Sequence, residues 1–260
     1  MTGGIDLSIV VPAYNEANRI GETLEAMVAY LRAHHPSFEI IVVADGNDGT
    51  REKAEKFAAE AGAPVQVIGS VSRRGKGRGI REGVALARGQ IVGFVDADYK
   101  TPIEEVDKLF PWLNGGYDIV IGSRAQSDSR VEIAQPLYRR VGSRVFGIAM
   151  HLTTGLWQIR DTQCGFKFFQ GPVARDLFGR QKIDGYMFDV EVLCLAHQCG
   201  YRIREVGVRW RDDGDSRLDL VAGNWQNMID ILRIRLASRP RLLSAPKRTG
   251  ELVGKPNESP

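Results

Sequence analysis

The first half of the chain contains five apolar runs of strand length. They are continuous rather than alternating in polarity, which is typical of parallel strands buried on both faces. Between them, apolar residues return every three or four positions, and this spacing predicts amphipathic helices. The predicted strands cover 5–12, 38–44, 64–69, 90–96 and 117–122, and the predicted helices cover 17–33, 50–61, 77–88 and 103–113.

Strands that alternate with helices in this way predict an α/β fold with a mainly parallel sheet. Thr101 and Pro102 precede the fourth helix, where they are predicted to be its N-cap and its first residue. The regular alternation of predicted strands and helices ends after residue 122. The later sequence predicts mostly helix over 131–158, then a strand at 167–170, a helix around 187–199, a strand at 202–210 and an amphipathic helix at 222–237.

Composition and charge exclude several classes of protein. The 260 residues include 35 basic and 32 acidic ones, a balance that does not indicate nucleic-acid binding. The three cysteines are an odd number in a long chain, so we expect no disulfide framework and a cytoplasmic, reducing compartment. The spacing of Cys and His does not suit zinc. No apolar run approaches the length of a membrane span, and no signal peptide is predicted.

Polar motifs stand where predicted strands end. In open α/β sheets, ligands bind at the carboxyl ends of the strands. Asp96 and Asp98 end the fourth strand, and as residues i and i+2 of an extended segment they are predicted to face the same way. Converging carboxylates repel unless a cation lies between them, and Mg²⁺ shared with a diphosphate would fit. A pair of helix-capping aspartates is the alternative, and this motif alone does not decide between them.

Six segments taken together resemble a known family. They are SIVVPAYNEANRI, RRGKGRGIREGVALARGQIVGFVDAD, GSRA, RDTQCGFKFF, FDVEVLCLA and VRWRDDGDSRL, and they span roughly residues 5 to 236. In this order they resemble the inverting family 2 glycosyltransferases with the GT-A fold. Within that family they are most similar to the polyprenyl-phosphate hexosyltransferase branch, first to dolichyl-phosphate β-glucosyltransferases and next to the mannosyltransferases.

The resemblance implies a Rossmann-like GT-A fold and a division of the chain. One domain would cover residues 1–238, with a nucleotide-sugar half at 5–122 and an acceptor half at 123–238. A basic, proline-rich tail would follow at 239–260, and its composition predicts mobility.

The resemblance also implies a donor site. Asp45 would contact the base or ribose, Lys76 would reach the donor, and Asp96 would touch the ribose or sugar. Asp98 would bind Mg²⁺ or Mn²⁺ facing the diphosphate. The other donor-site positions implied are Pro12, Ala13, Tyr14, Glu16, Ala97 and Lys100.

Lys100 departs from the family pattern. Mannosyltransferase relatives often have a glutamine metal ligand at this place, and a charged lysine has no lone pair to offer. Either water replaces that ligand, or the ammonium neutralises diphosphate charge and weakens the metal requirement. A lysine that points into solvent is the third interpretation.

On the acceptor side, the resemblance implies phosphate-handling residues, because arginine and hydroxyl donors suit a phosphate monoester. A solvated helix face is the alternative interpretation of the helical arginines. Asp189 would act as a base toward a hydroxyl acceptor, or would orient the acceptor-side arginines if the acceptor is a phosphate. Cys164 is expected to be a small buried residue rather than a nucleophile. The implied acceptor-side positions are Arg124, Arg139, Ser143, Arg211, Ser216 and Arg217.

The function implied is hexose transfer from UDP-glucose, or secondly GDP-mannose, to a polyprenyl or dolichyl phosphate, giving a β-linked product. Two alternatives remain open: a soluble family 2 enzyme acting on a sugar or glycan hydroxyl, and a non-catalytic nucleotide-sugar-binding module.

A lipid acceptor implies contact with a membrane surface. The 222–237 helix has an apolar face beside several arginines, so it would suit an interfacial helix on anionic lipid. A helix docked on the body with a polar outer face is the alternative. The residues concerned are Trp225, Met228, Leu232, Leu236, Arg233, Arg235, Arg239 and Arg241.

Overall fold

The structure is a computed structural model, and it describes residues 4–131, 147, 150–211 and 222–237. Its main element is a seven-stranded mixed sheet with the strand order β3-β2-β1-β4-β7-β5-β8. These strands are β1 Leu7–Tyr14, β2 Phe38–Asp45, β3 Val65–Ile68, β4 Ile91–Val95, β5 Ile119–Ser123, β7 Phe166–Gln170 and β8 Ile203–Gly207. Two short strands, β6 Arg130–Val131 and β9 Arg209–Trp210, pair separately.

Helices cover both faces of the sheet. They are α1 Ile20–His34, α2 Thr50–Ala61, α3 Lys76–Leu86, α4 Val106–Asn114, α5 Gly171–Arg180, α6 Phe188–Gln198 and α7 Ala222–Ala237. The apolar runs supply both layers of core because successive strand residues point to opposite faces. Val10 and Phe94 pack in the core beneath α3, α5 and α6, whereas Ile9 and Val42 pack in the core beneath α1 and α4. The predicted α/β fold with a mainly parallel sheet is therefore confirmed.

Strand β7 is the exception to parallel pairing. It lies between β4 and β5 and runs antiparallel to both. This insertion brings the segment before β7 to the carboxyl end of β4, where the Asp96 amide donates a hydrogen bond to the carbonyl of Gly165 over 3.1 Å. The segment before β7, from the second half of the chain, thus lies at the carboxyl ends of the strands formed by the first half.

Several predictions of local structure were wrong. Pro102 occupies the N-cap position of a 3-10 turn at Ile103–Glu105, and the α-helix begins only at Val106. Helix α5 was not predicted, although Pro172 in its first turn is compatible with a helix. The predicted strand over 202–210 is divided into β8 and β9.

Part of the sequence prediction falls outside the described residues. Of the predicted helical region 131–158, the structure describes helix at residues 150–154 but not residues 132–146. The predicted tail at 239–260 lies outside the described part altogether. Within the described ranges, no helix is long and apolar enough to cross a bilayer.

Candidate active site

The two aspartates of the DAD motif converge through a turn. Strand β4 ends at Val95, and the Tyr99 amide donates a hydrogen bond to the Asp96 carbonyl over 3.2 Å. Tyr99 has a φ of 54°, in the left-handed region that closes such a turn. The prediction of an extended segment was therefore wrong, but the two carboxylates still lie close enough for their charges to interact. Burial and the nearby Asp96 charge both raise the pKa of Asp98.

Two lysines share this cluster. The Lys76 ammonium lies 2.6 Å from Asp96 Oδ1, and the Lys100 ammonium lies 3.5 Å from Asp98 Oδ2. The Lys100 side chain is only 14% exposed, so it points into the cluster rather than into solvent. Burial would lower the pKa of Lys76, but the charges of Asp96 and then Asp189 outweigh it and raise that pKa. The lysine therefore stays charged at the edge of the sheet.

Glycines fix where Lys76 lies. It is the first residue of α3, and Gly75 before it has a φ of 104°, which side chains rarely adopt. A Cβ at Gly75 would lie 2.3 Å from the carbonyl oxygen of Asp184, and a Cβ at Gly77 would lie 2.6 Å from the Cβ of Phe188. The glycines of RGKG thus let the start of α3 pack directly against the segment that leads into α6.

Asp189 lies in the first turn of α6 and is almost entirely buried. Its Oδ1 forms an ion pair with the Lys167 ammonium over 2.8 Å. Burial raises the pKa of Asp189, and the charges of Lys167 and Lys76 oppose that rise. The sequence predicted a base or a carboxylate that orients acceptor-side arginines. In the structure Asp189 is paired with Lys167 and lies within reach of the Lys76 charge, and its predicted role stays a prediction.

Arg124 follows β5 and is held by Asp161. Its Nε and Nη2 donate to the two carboxylate oxygens over 2.7 and 2.8 Å, and its amide donates to Oδ2 over 2.9 Å. Burial alone would raise the pKa of Asp161, but Arg124 lowers it to about 2. The guanidinium also lies 5.3 Å from the centre of the Trp210 ring. Arg124 is therefore a rigidly oriented cation whose charge is largely compensated.

The loop between β3 and α3 covers the ends of β1 and β2. Asp45 accepts hydrogen bonds from the amides of Ser70 and Arg74 and from the Arg74 guanidinium. Arg73 lies 4.6 Å from the centre of the Tyr14 ring, and its Nη2 donates to the Tyr186 hydroxyl over 3.1 Å. The Asp45 carboxylate, expected at the base or ribose, thus also anchors this loop.

The remaining positions predicted for the donor site contribute to packing and hydrogen bonding near the carboxyl ends of the strands. Ala13 and Ala97 are buried, and the Ala97 carbonyl accepts a hydrogen bond from the Thr23 hydroxyl over 2.8 Å. Pro12 pairs with Val43 inside the sheet. The Glu16 amide donates to the Thr50 hydroxyl over 2.9 Å, which ties the start of α1 to the start of α2.

Of the positions predicted for the acceptor, Arg211 lies next to the Asp98–Lys100 pair: its amide donates to the Lys100 carbonyl over 3.0 Å. Cys164 is buried, as predicted, and burial raises the pKa of its thiol to about 12, so it is not a nucleophile. Other predicted positions lie outside the described residues, or in the case of Trp225 have no described side chain: Arg139, Ser143, Ser216, Arg217 and Trp225.

The carboxylates fit a divalent cation with few protein ligands. Among the residues that the structure covers, no group of three or more His, Cys, Asp or Glu could hold a metal ion. Burial and then the charge of Asp96 raise the pKa of Asp98, and a cation beside the two carboxylates would stabilise the ionised form. Mg²⁺ commonly takes one or two carboxylates and completes its shell with water and substrate phosphates. Asp98 therefore suits a metal that a bound diphosphate would help to hold.

Four residues that shape the site were not predicted from the sequence: Lys167, Asp161, Arg74 and Gly165. A Cβ at Gly165 would lie 2.0 Å from Asp96 Oδ2, so only glycine fits there. The signal for Lys167 was present, since it is a single charge within the apolar run FKFF. The pairing of Asp161 with Arg124 had no sequence signal, because 37 positions separate the two residues.

Comparison with known proteins agrees with this arrangement. The mixed sheet, with acidic residues at the carboxyl ends of its strands, places the chain among the α/β folds that bind ligands at that edge. The crystal structure of glucosyl-3-phosphoglycerate synthase from Mycobacterium tuberculosis, in complex with Mn²⁺, UDP-glucose and phosphoglyceric acid, superimposes with a TM-score of 0.67. It is 20% identical, and the match covers 89% of this chain and 80% of that one. The GT-A fold is thereby confirmed.

Sequence comparison identifies the family. The model of glycosyl transferase family 2 matches residues 8–178. The chain is 37% identical over 229 residues to a dolichyl-phosphate beta-glucosyltransferase of Drosophila melanogaster, covering 82% of this chain and 69% of the relative. It is 36% identical over 250 residues to the Homo sapiens protein of the same name, covering 88% and 75%. The chain belongs to glycosyltransferase family 2 and is a glycosyltransferase.

Proposed function

We propose that this protein transfers glucose from UDP-glucose to a polyprenyl or dolichyl phosphate. The observation that carries the proposal is the extent of the identity. Relatives named dolichyl-phosphate beta-glucosyltransferase match over 82–88% of the chain, well beyond the 8–178 segment of the family model. The proposal keeps one transfer domain over residues 1–238, with the tail at 239–260 outside it. GDP-mannose is the donor to test next.

The reaction proposed is a single displacement. An oxygen of the acceptor phosphate attacks the anomeric carbon of the α-linked sugar, the bond from that carbon to the diphosphate breaks, and UDP leaves. Inversion at the carbon gives a β-linked glucosyl phosphate lipid. A phosphate oxygen is already anionic, so this reaction needs no base. The burial of Asp189 against Lys167 supports such an acceptor, because a base must reach the proton that it removes.

Charge on the leaving diphosphate would be met by Lys76 and Lys100, whose ammonium groups already face the carboxylates at this edge. Asp98 would hold Mg²⁺ or Mn²⁺. When bound, that metal neutralises part of the diphosphate charge and stabilises its departure. Lys100 would contribute to the same neutralisation, so that the metal requirement is weakened rather than removed. Asp96, with Lys76 fixed to it, would contact the ribose or the sugar.

The nucleoside would bind where the β3–α3 loop covers the ends of β1 and β2. Tyr14 lies at this edge with Arg73 over its ring. Asp45, held by Arg74, would face the base or ribose, since its loop lies over the strand ends. The backbone at Pro12, Ala13, Glu16 and Ala97 would form the floor.

The acceptor phosphate would be bound by arginine. Arg124 is oriented by Asp161 and lies near enough to Asp96 for the two charges to interact. Arg211 follows β9 beside Lys100 and would complete a basic path from donor to acceptor. We assign the same acceptor role, by family resemblance, to Arg139, Ser143, Ser216 and Arg217.

The lipid would be reached at the cytoplasmic face of a membrane. Helix α7 buries Ile231 and Ile234 against the body, so it is docked, and its outer face carries exposed leucines as well as arginines. Leu232 and Leu236 are 51% and 66% exposed. Arg235 donates to the carbonyl of Leu152, whose side chain is also exposed. Apolar residues beside arginines suit the interface of an anionic bilayer, which supports peripheral attachment there.

The test is transfer from radiolabelled UDP-glucose, GDP-mannose and other nucleotide sugars to a short polyprenyl phosphate, with Mg²⁺, with Mn²⁺ and with a chelator. We expect lipid-extractable label from UDP-glucose, with a β-linkage. Label transferred only to a soluble sugar acceptor would contradict the proposed acceptor and identify a hydroxyl transferase. Nucleotide binding without transfer to any acceptor would indicate a non-catalytic module.

A further inference from the structure

Lys167 is a charged residue at the centre of the sheet. It lies on β7 between Phe94 of β4 and Ile121 of β5, and its side chain is 1% exposed. Its neighbours along the strand are Phe166 and Phe168. A buried ammonium is costly unless it is paired and hydrogen-bonded. A lysine at this buried position therefore calls for an explanation.

The Lys167 ammonium has three close neighbours: a carboxylate, a backbone carbonyl and an aromatic ring. It lies 2.8 Å from Asp189 Oδ1, donates to the Cys164 carbonyl over 2.6 Å, and lies 5.3 Å from the centre of the Phe94 ring. The ion pair joins β7 to the first turn of α6. Both of its members are buried below the edge where the donor would bind.

Asp189 lies between two lysines. Lys167 is below it, and Lys76 is near enough for its charge and that of Asp189 to interact. The start of α3 is packed against the start of α6, with no room for a Cβ between Gly77 and Phe188. The Lys76 ammonium nevertheless points at Asp96, 2.6 Å away, and not into an ion pair with Asp189.

Asp96 and Asp189 could thus each attract the Lys76 ammonium, and the presence of Lys167 determines which of them pairs with it. With Lys167 present, Asp189 already has a close cation, so Lys76 is left to Asp96 and the donor. Without Lys167, Asp189 would be a buried carboxylate whose nearest cation is Lys76. It would draw that ammonium inward, because an uncompensated buried charge is strongly unfavourable.

We propose that Lys167 is a positioning residue for donor binding: by pairing with Asp189 it keeps the Lys76 ammonium directed at the donor diphosphate. This inference rests on the proposed function for the role of Lys76. Lys167 itself touches neither substrate, and its effect passes through Asp189.

The test measures binding of UDP to the full-length chain by calorimetry in Mg²⁺ buffer, with folding checked by circular dichroism. We expect Lys167→Met to weaken UDP binding about tenfold, the lower end of what one charge-assisted hydrogen bond contributes. Lys76→Met should weaken it by at least as much, and adding Lys167→Met to that variant should cause no further loss. Additive losses, or a folded Lys167→Met protein with unchanged affinity, would overturn the proposal.

A second variant keeps the test decisive if Lys167→Met folds poorly. Lys167→Met combined with Asp189→Asn removes the competing charge as well, and it should bind UDP within about twofold of wild type. If this double variant folds but binds as weakly as Lys76→Met, the proposal is wrong.

The matched control is the ion pair between Glu39, a buried residue at the amino end of β2, and Arg88, whose side chain is 72% exposed. Arg88→Met also leaves a buried carboxylate without its cation, and it should lower stability while leaving UDP affinity unchanged. Glucose transfer by the same wild-type preparation separates the two proposals. Binding of UDP without transfer would defeat the proposed function and leave the Lys167 result standing. A wild type that does not bind UDP would overturn both.

Discussion

The ammonium of Lys100 lies 3.5 Å from Oδ2 of Asp98, inside the cluster proposed to receive the donor diphosphate. A positive charge thus stands at the position where the family resemblance implied a glutamine ligand to the metal. Of the three interpretations of Lys100 from sequence, the solvent-exposed one is wrong. The ammonium is positioned to neutralise charge beside the proposed metal, and this arrangement leads to the first prediction.

Replacing Lys100 with glutamine should make the enzyme more dependent on its metal. The amide can donate a lone pair to a cation but carries no charge of its own. We expect wild type to keep part of its activity at limiting metal. Lys100→Gln should fall by roughly tenfold there, about the effect of one charge-assisted interaction, and recover when Mn²⁺ is raised.

Lys100→Met is the control for this experiment, since it removes the charge without adding a ligand. It should lose activity at limiting metal and recover less at high Mn²⁺. Equal metal titration curves for wild type and Lys100→Gln would contradict a role for the ammonium.

Adding a methyl group at Gly165 should damage catalysis more than folding. The new Cβ would lie 2.0 Å from Asp96 Oδ2, so the carboxylate must move. Displacement of a site group by about 1 Å can cost on the order of a hundredfold in rate. We therefore expect Gly165→Ala to lower kcat/KM by roughly that factor, measured by glucose transfer. Gly21→Ala, with nothing within 4 Å of its Cβ, is the control and should retain full activity.

The Arg124–Asp161 pair should make stability depend on pH in a defined window. The folded pKa of Asp161 is lowered from 3.8 to about 2. A lowered carboxyl pKa gives stability that is fully present above the unfolded pKa and lost as the pH falls toward the folded one. The full contribution is about 2 kcal/mol, and about 1 kcal/mol of it should be gone at pH 3.

Urea unfolding of wild type and Asp161→Asn at pH 6, 4 and 3 measures this contribution. The difference in unfolding free energy between the two proteins should be constant down to about pH 5 and then shrink by about 1 kcal/mol by pH 3. A difference that does not change with pH would mean that Asp161 keeps its ordinary pKa in the folded protein.

The outer face of α7 should be needed for binding to membranes. Burying one leucine contributes about 1.5–3 kcal/mol, so replacing Leu232 and Leu236 together with glutamate should weaken binding to anionic vesicles by roughly a hundredfold or more. Co-sedimentation with vesicles rich in phosphatidylserine measures it. Leu86→Glu, at an exposed leucine at the end of α3, is the control. If the α7 variant sediments as wild type does, another surface contacts the lipid.

Much of the fold followed from local sequence. The strand runs were recognisable because a strand covered on both faces must be apolar at nearly every position, as β2 is. The antiparallel placement of β7 was not recognisable, since KFFQ specifies a strand but neither its direction nor its partners. Helix α5 was missed because Gly171 and Pro172 directly after a strand resemble a loop.

The candidate site likewise has features that the sequence predicted and features that only the structure revealed. Asp96 and Asp98 were candidates for metal and phosphate chemistry because two carboxylates end one strand, and the family resemblance added Lys76. The sequence also determined the succession of strands and helices, because hydrophobic periodicity is a local property. Only the tertiary structure decided which charges meet: Lys167 with Asp189, Arg124 with Asp161, Lys100 with Asp98 across a turn. The first two pairs join residues 22 and 37 positions apart whose distance depends on where β7 enters the sheet. An ion pair forms only when its two charged groups lie within a few ångströms of each other. Packing fixes that distance, and no pattern along the chain does.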